Sequence, residues 1–225
     1  MAGTDTYRAS SEIRPPSAFS ERLSNSLFQI VGRQAPVLRA VRHHGCIHDA
    51  LIQRPARDDG EAGSTCGRLP RFLAAVAEIP KRAPLEPWLQ RHCSDLAAAE
   101  GIVVVHPNWW GQPPAILTGW IDRVVRPGVA YEFGEGDAGD GIPTGLLRAR
   151  TAVVLNTSNT PASREQEAFG DPLESIWKRC VFDLCGVKDV RRRMYAVVVT
   201  STPEERRRWL ADAADLVTSA FPRFA

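Results

Sequence analysis

The sequence predicts an α/β protein with a doubly wound parallel sheet flanked by helices. Two short runs carry this prediction, 102–105 (IVVV) and 152–155 (AVVL). Both are apolar without polar alternation, which is typical of parallel strands covered on both faces. A loop and then a helical pattern follow each run. With 225 residues, of which 44% are hydrophobic and 24% charged, the chain is long enough to bury a substantial core.

The first strand leads into a loop rich in aromatic residues and then into a helix. Pro113 and Pro114 are suited to a helix start, because proline loses no hydrogen bond in the first turn. Apolar residues then recur every three or four positions over 115–125, which predicts one buried helix face that includes Trp120. Residues 106–112 therefore lie between the carboxyl end of a strand and a helix, where open α/β sheets bind ligands.

The segment HPNWWGQPPAILTGWIDRVVRPGVAY, at 106–131, resembles the signature of the flavodoxin-like NAD(P)H:quinone oxidoreductases, the group that includes the potassium-efflux ancillary flavoenzymes. The resemblance extends over about 79–221 and implies a flavodoxin-like fold. In that family the loop contacts the isoalloxazine ring of a flavin. It therefore implies that the ring contacts are Pro107, Asn108, Trp109, Trp110 and Gly111.

A second polar loop is expected after the strand at 152–155. By the same resemblance, its flavin contacts are Asn156, Thr157, Ser158 and Asn159. The segment is also compatible with an ordinary turn that leads to a helix capped at Ser163. The two interpretations do not exclude each other.

No side chain is assigned as a catalytic acid. Some members of the family use a tyrosine and a histidine to assist proton movement. In this chain Phe169 stands near the histidine position, and Arg164 or Glu165 stands near the tyrosine position. Reduced flavin can carry out hydride chemistry in a protein that mainly positions the rings. We therefore expect no dedicated catalytic residue, and a structural role for Asp171.

The rest of the core is predicted from its patterning. Apolar spacing predicts a helix over 172–184, and the apolar run within 194–200 predicts another buried strand. A final amphipathic helix is expected after Thr202, where TPEE is typical of a capped helix start.

Residues 1–78 form an atypical, poorly patterned segment, in contrast to the flavodoxin-like core at 79–225. The segment uses Arg without any Lys, and its single candidate first strand is 27–31, followed by a poor version of a phosphate loop at 32–36. Either this part of the fold has diverged or been replaced, or part of it is read in a shifted frame. Phosphate binding by the chain is therefore in question.

Composition bears on other classes of function. A net charge of +2 is too small to indicate nucleic-acid binding, and the arginine runs at 191–193 and 206–208 are expected to be solvated. Five cysteines at irregular spacing argue against a disulfide framework, and Cys180 and Cys185 are expected to be core thiols. Neither a metal site nor a membrane-inserted segment is predicted, and a cytoplasmic location is expected.

The resemblance implies a flavoenzyme that transfers hydride from NAD(P)H to bound FAD or FMN, and then from the flavin to a quinone or a similar small acceptor. It also implies a homodimer. The alternative is a non-catalytic ancillary protein of flavodoxin-like fold that has lost flavin phosphate binding and acts by binding a partner.

Overall fold

The structure is a computed structural model, and it describes residues 85–135 and 141–222. The expectations for residues 1–78, including the candidate strand at 27–31 and the loop at 32–36, lie outside the described residues.

Five strands occur in the described part of the chain, and three of them form a parallel sheet. The strands are β1 (Gly101–Pro107), β2 (Tyr131–Glu132), β3 (Thr144–Gly145), β4 (Thr151–Ser158) and β5 (Asp189–Ala196). The parallel sheet has the order β1-β4-β5, while β2 and β3 form a small antiparallel pair.

Helices cover both faces of the parallel sheet. They are α1 (Pro87–Ala98), α2 (Ala115–Val124), α3 (Ala162–Phe169), α4 (Pro172–Ser175), a π-helical segment (Ile176–Asp183) and α5 (Pro203–Ala220). One hydrophobic cluster joins α1, α2 and the π-helical segment to the sheet, and a second joins α5 to the opposite face. The predicted doubly wound parallel arrangement is confirmed.

The central strand β4 is buried along its whole length. Because side chains alternate between the two faces of a strand, Ala152 and Val154 belong to one cluster, while Val153 and Leu155 belong to the cluster on α5. This two-sided burial explains why the strand lacks the polar alternation of a half-exposed sheet.

The polar residues after the run at 152–155 continue the strand instead of forming a loop. Asn156 and Thr157 pair with both neighbouring strands, and Ser158 pairs with β5; the exposed fractions of the three residues are 0%, 5% and 5%. The predicted loop is therefore wrong at these positions, because flanking strands satisfy their backbone groups. The predicted cap at Ser163 is also wrong, since α3 begins at Ala162 after Pro161.

Strand β5 lies about five residues before the predicted strand at 194–200. It begins at Asp189, whose carboxylate accepts a 3.1 Å hydrogen bond from Thr151 Oγ1 on β4. The strand contains all three arginines of the run at 191–193. The Arg192 side chain is 4% exposed, so the expectation that this whole run is solvated is wrong. Carboxylate partners allow a guanidinium to replace an apolar residue on the sheet.

The helix predicted over 172–184 is α-helical only at its start. Over Ile176–Asp183 it is π-helical, a geometry with hydrogen bonds from i to i+5. Trp177 and Phe182, five positions apart, stack with ring centroids separated by 5.7 Å. Cys185 is fully buried as expected, but Cys180 is exposed, so the prediction of a core thiol at Cys180 is wrong.

The β2–β3 pair packs closely on the end of the π-helical segment. A Cβ atom added to Gly145 would lie 2.3 Å from the backbone C of Cys185, which only glycine avoids. Leu147 N–H donates to Cys185 O at 3.2 Å, and Gly186 adopts φ +93° as the chain leaves the segment.

Helix α5 begins with the predicted capping signal. The Thr202 hydroxyl accepts from Glu205 N–H at 3.2 Å, and the Glu205 carboxylate accepts from Thr202 N–H at 2.8 Å. Pro203 occupies the first helical position, where it loses no hydrogen bond.

Candidate functional site

The loop after β1 is a tight turn that presents two tryptophans. Trp109 and Gln112 exchange two backbone hydrogen bonds, each of 3.0 Å. The two residues between them, Trp110 and Gly111, have φ values of 58° and 73°. Positive φ at both central positions is characteristic of a type I′ turn. The side chain of Trp110 is 99% exposed and that of Trp109 is 53% exposed.

The position of Trp110 is unusual on two counts. A left-handed conformation in a non-glycine residue costs about 1–3 kcal/mol and is concentrated at functional sites. Its backbone N–H donates no hydrogen bond to any residue within 85–135 and 141–222. The turn therefore combines a bare indole face with a backbone donor that is available to a ligand.

A buried carboxylate ties this turn to the end of β4. Glu165, 4% exposed and in the first turn of α3, accepts hydrogen bonds at the same atom, Oε1, from Asn108 Nδ2 at 2.7 Å and from Ser158 Oγ at 3.3 Å. Asn108 Oδ1 in turn accepts from Gly111 N–H at 2.9 Å, and Ser158 Oγ accepts from Thr160 N–H at 3.0 Å.

A second polar cluster lies deeper, between β4, β5 and α4. Arg192 Nε donates to Asn156 Oδ1 at 2.9 Å, and Arg192 Nη1 lies 2.6 Å from Asp171 Oδ2 and 3.2 Å from Glu174 Oε2. Burial alone would raise the pKa of Glu174, but hydrogen bonds and charges from Lys178 and Arg192 outweigh it and lower the pKa. The cluster thus favours the charged form of Glu174 beside a buried guanidinium.

This cluster reaches the tryptophan turn through Asp171 and Pro172. Asp171 adopts φ 45°, a left-handed conformation, while its carboxylate is held by Arg192. Pro172 packs against the turn, because a Cβ atom added at Gly111 would lie 3.1 Å from Pro172 Cγ. The structural role expected for Asp171 therefore agrees with its contacts.

His106 occupies a buried position at the end of β1. Its Nε2 accepts a 2.9 Å hydrogen bond from Trp177 Nε1, because an indole N–H can only donate. The other ring nitrogen, Nδ1, is 2.8 Å from Pro107 O and donates to it. The imidazole is thus used to hold the base of the turn, and it is 2% exposed.

The structure brings together most of the residues predicted from the sequence. Pro107 is the last residue of β1, Asn108 leads into the turn, and Trp109 to Gly111 belong to it; Ser158 and Asn159 lie at the end of the neighbouring strand β4. Asn159 is exposed, and its Oδ1 accepts from Val199 N–H at 3.0 Å. The side chains of Asn156 and Thr157 are buried within the sheet. Trp120 packs against the core as expected.

Glu165, Arg192 and His106 are parts of this site to which the sequence assigned no role. The partners of Glu165 and Arg192 are distant along the chain: Asn108 is 57 residues from Glu165, and Asn156 is 36 residues from Arg192. For His106 the sequence did offer a signal, because a histidine that follows a buried apolar run needs a hydrogen-bond partner for its ring.

In the described residues, three or more His, Cys, Asp or Glu side chains do not come together in a way that could hold a metal ion. Of the helices in 85–135 and 141–222, none has the length and apolar character needed to cross a bilayer.

The arrangement defines an α/β protein of the doubly wound class, with a candidate ligand site at the carboxyl ends of β1 and β4. A family model described as flavodoxin-like fold matches residues 58–217, and the chain belongs to this family.

Two curated relatives and one solved structure illustrate the similarity. The chain is 26% identical over 130 residues to an uncharacterized NAD(P)H oxidoreductase of Haemophilus influenzae, covering 56% of this chain and 60% of the relative. It is 25% identical over 190 residues to an FMN-dependent NADH:quinone oxidoreductase of Thiobacillus denitrificans, covering 81% and 79%. The chain thus spans less than two thirds of the Haemophilus protein.

The solved structure is an FMN-dependent NADH-azoreductase from Bacillus anthracis in complex with FMN. It superposes with a TM-score of 0.60 at 11% identity, covering 93% of this chain and 94% of that chain. At this identity the similarity concerns the fold alone.

Proposed function

We propose that this protein is a flavin-dependent NAD(P)H oxidoreductase that reduces a quinone or a similar small acceptor. The observation that carries the proposal is the tryptophan turn, which combines exposed indole surface with the available N–H of Trp110. The names of the Thiobacillus and Haemophilus relatives support the same class of reaction.

The residues of the turn are chemically suited to a flavin ring. An isoalloxazine has two flat faces and a polar edge, so it needs an apolar wall and backbone donors. Trp109 and Trp110 supply the wall, and the Trp110 N–H supplies a donor that the described part of the chain leaves unused. Helix α2 begins at Ala115, shortly after the turn, and the positive end of a helix dipole favours negative charge on a reduced ring.

In this proposal Pro107 to Gly111 contact one side of the ring, and Ser158 and Asn159 border it at the end of β4. The buried side chains of Asn156 and Thr157 act from beneath by keeping the strand end in place. FMN is the first candidate cofactor because the Thiobacillus relative is named as FMN-dependent, and FAD is the second. Bound flavin would supply the ability to accept hydride from NAD(P)H and pass it to the acceptor.

The protein contributes orientation and exclusion of water, without a side chain assigned to donate a proton. Phe169, at the position where some family members use histidine, is 53% exposed and apolar. Val199 is a second exposed apolar residue, at 67%, and its N–H donates to Asn159 Oδ1 at the end of β4. A homodimer that covers this surface and a cytoplasmic location are further parts of the proposal.

Reconstitution tests the function. Purified protein is incubated with FMN or FAD, freed of unbound flavin by gel filtration, and examined for absorption near 450 nm and for flavin-dependent NADH and NADPH oxidation with a benzoquinone. We expect bound flavin and quinone-dependent oxidation. Protein that takes up no flavin and oxidises neither nucleotide would instead support the non-catalytic ancillary function. Light scattering on the same sample tests the dimer.

A further inference from the structure

The inference concerns Glu165, a buried acidic residue to which the proposed reaction gives no chemical task. It lies on α3, outside both segments that border the proposed flavin ring, yet its Oε1 atom contacts both of them. A buried carboxylate is costly unless its hydrogen bonds are satisfied, so its position requires an explanation.

The hydrogen bonds around Glu165 form one continuous chain with two arms, and both arms donate toward Glu165 Oε1. The Gly111 amide donates to Asn108 Oδ1, and Asn108 Nδ2 donates to Glu165 Oε1. From the other side, the Thr160 amide donates to Ser158 Oγ, whose hydroxyl donates to Glu165 Oε1. The Asn108 amide and the Ser158 hydroxyl each accept one hydrogen bond and donate another, so the orientations of both groups are fixed.

The acceptor in the middle of this chain must be able to receive two donors at one atom. A carboxylate oxygen has this capacity, because it carries two lone pairs. Without the acceptor, the amide of Asn108 and the hydroxyl of the buried Ser158 would each lose a partner. Both ends of the chain would then be free to reorient.

We propose that Glu165 is a positioning residue that sets the distance between the tryptophan turn and the end of β4, and so preorganises the flavin ring site. This role rests on the proposed function, because the two segments it joins are the proposed ring contacts. It acts through Asn108 and Ser158 and takes no part in proton transfer.

Three variants test the role: Glu165→Ala, which removes the acceptor; Glu165→Gln, which keeps an oxygen at Oε1; and Glu167→Ala as the matched control. Oε2 of Glu165 makes no hydrogen bond within 85–135 and 141–222, so the amide nitrogen of Gln can replace it without breaking the chain. Glu167 lies two residues further along α3, is exposed, and carries the same charge.

Hydrogen exchange of the flavin-free protein is the first measurement. In Glu165→Ala we expect peptides covering 107–112 and 158–161 to exchange about tenfold faster together, because the Gly111 and Thr160 amides are the two ends of the chain. Glu165→Gln and Glu167→Ala should exchange like the parent. Unchanged exchange at either segment in Glu165→Ala would overturn the proposed connection whether or not the protein binds flavin.

Flavin affinity is the second measurement. FMN titration should give a dissociation constant raised about tenfold in Glu165→Ala, restored to within about threefold in Glu165→Gln, and unchanged in Glu167→Ala. Equal weakening in the Gln variant would show that the charge itself acts, and would contradict a positioning role. If the parent protein binds no FMN, the proposed function fails, while the exchange result still decides whether Glu165 joins the two segments.

Discussion

Replacing Arg192 with Met should destabilise the protein far more than the same change at Arg191. The Arg192 side chain is 4% exposed, and it donates to Asn156 Oδ1 and two carboxylates. Methionine fills much of the same volume but donates nothing. The change therefore removes the cation while the buried acceptors stay in place.

The structure sets the size of the effect. Asn156 is fully buried, and an orphaned buried acceptor costs about 1–3 kcal/mol. Removing one partner of a fully buried ion pair costs about 3–5 kcal/mol. The side chains of Asp171 and Glu174 are 19% and 42% exposed, so water can partly replace the guanidinium and this term must be reduced. We expect a total loss of about 2–4 kcal/mol.

Urea unfolding followed by tryptophan fluorescence measures this loss as a lower midpoint at constant slope. Arg191→Met is the matched control in the same strand. Arg191 pairs with Asp189 through side chains that are 38% and 44% exposed, so its removal should cost less than about 1 kcal/mol. Equal losses in the two variants would refute the view that Arg192 is a buried structural cation.

Three further predictions concern other parts of the fold. Gly145→Ala should lower the free energy of unfolding by at least about 2 kcal/mol, because the new Cβ would lie 2.3 Å from the Cys185 backbone. Gly134→Ala is the control, because a Cβ at Gly134 meets nothing within 4 Å. Equal urea midpoints for the two variants would contradict the close approach at Gly145. In native protein at pH 8, Cys180→Ser should lower the number of thiols that react with Ellman's reagent by one, because Cys180 is exposed. Cys185→Ser should leave that number unchanged, because Cys185 is buried and burial raises its pKa to about 11. Labelling of Cys185 in the native protein would contradict this prediction. The pKa of Glu174 is below its ordinary value of 4.5, because its two basic partners outweigh the effect of burial. Its contribution to the free energy of unfolding is therefore present above pH 4.5 and is lost as the pH falls. Glu174→Gln should lose less stability between pH 5 and 3 than the parent, and parallel pH profiles of the two proteins would contradict the lowered pKa.

The sequence predicted the fold well where the local pattern and the tertiary environment agree. The apolar runs of β1 and β4 are buried on both faces, and α5 starts at the capping signal of Thr202. The predicted position of strand β5 was wrong because three consecutive arginines do not resemble the apolar pattern of a buried strand. Their partners, including Asp171 and Glu174, are brought to the strand only by the folded chain.

The candidate site also has a part that the local sequence indicates and a part that only the folded chain brings together. Its turn could be identified because Trp109, Trp110 and Gly111 are consecutive and belong to a recognisable family segment. The contacts of Glu165 and Arg192 could not, because their partners are 57 and 36 residues away along the chain. Nothing in the spacing of polar residues specifies which of them meet across a sheet edge.

Riboflavin titration tests the central claim most directly, because riboflavin carries the isoalloxazine ring without a phosphate and so reports on the ring site alone. We expect saturable binding that Trp109→Ala weakens about tenfold through loss of the indole wall. Phe221→Leu should leave it unchanged, because Phe221 contacts Gly101 at the opposite end of β1. An absence of saturable riboflavin binding, or equal binding by the parent and Trp109→Ala, would contradict a flavin ring site at the tryptophan turn.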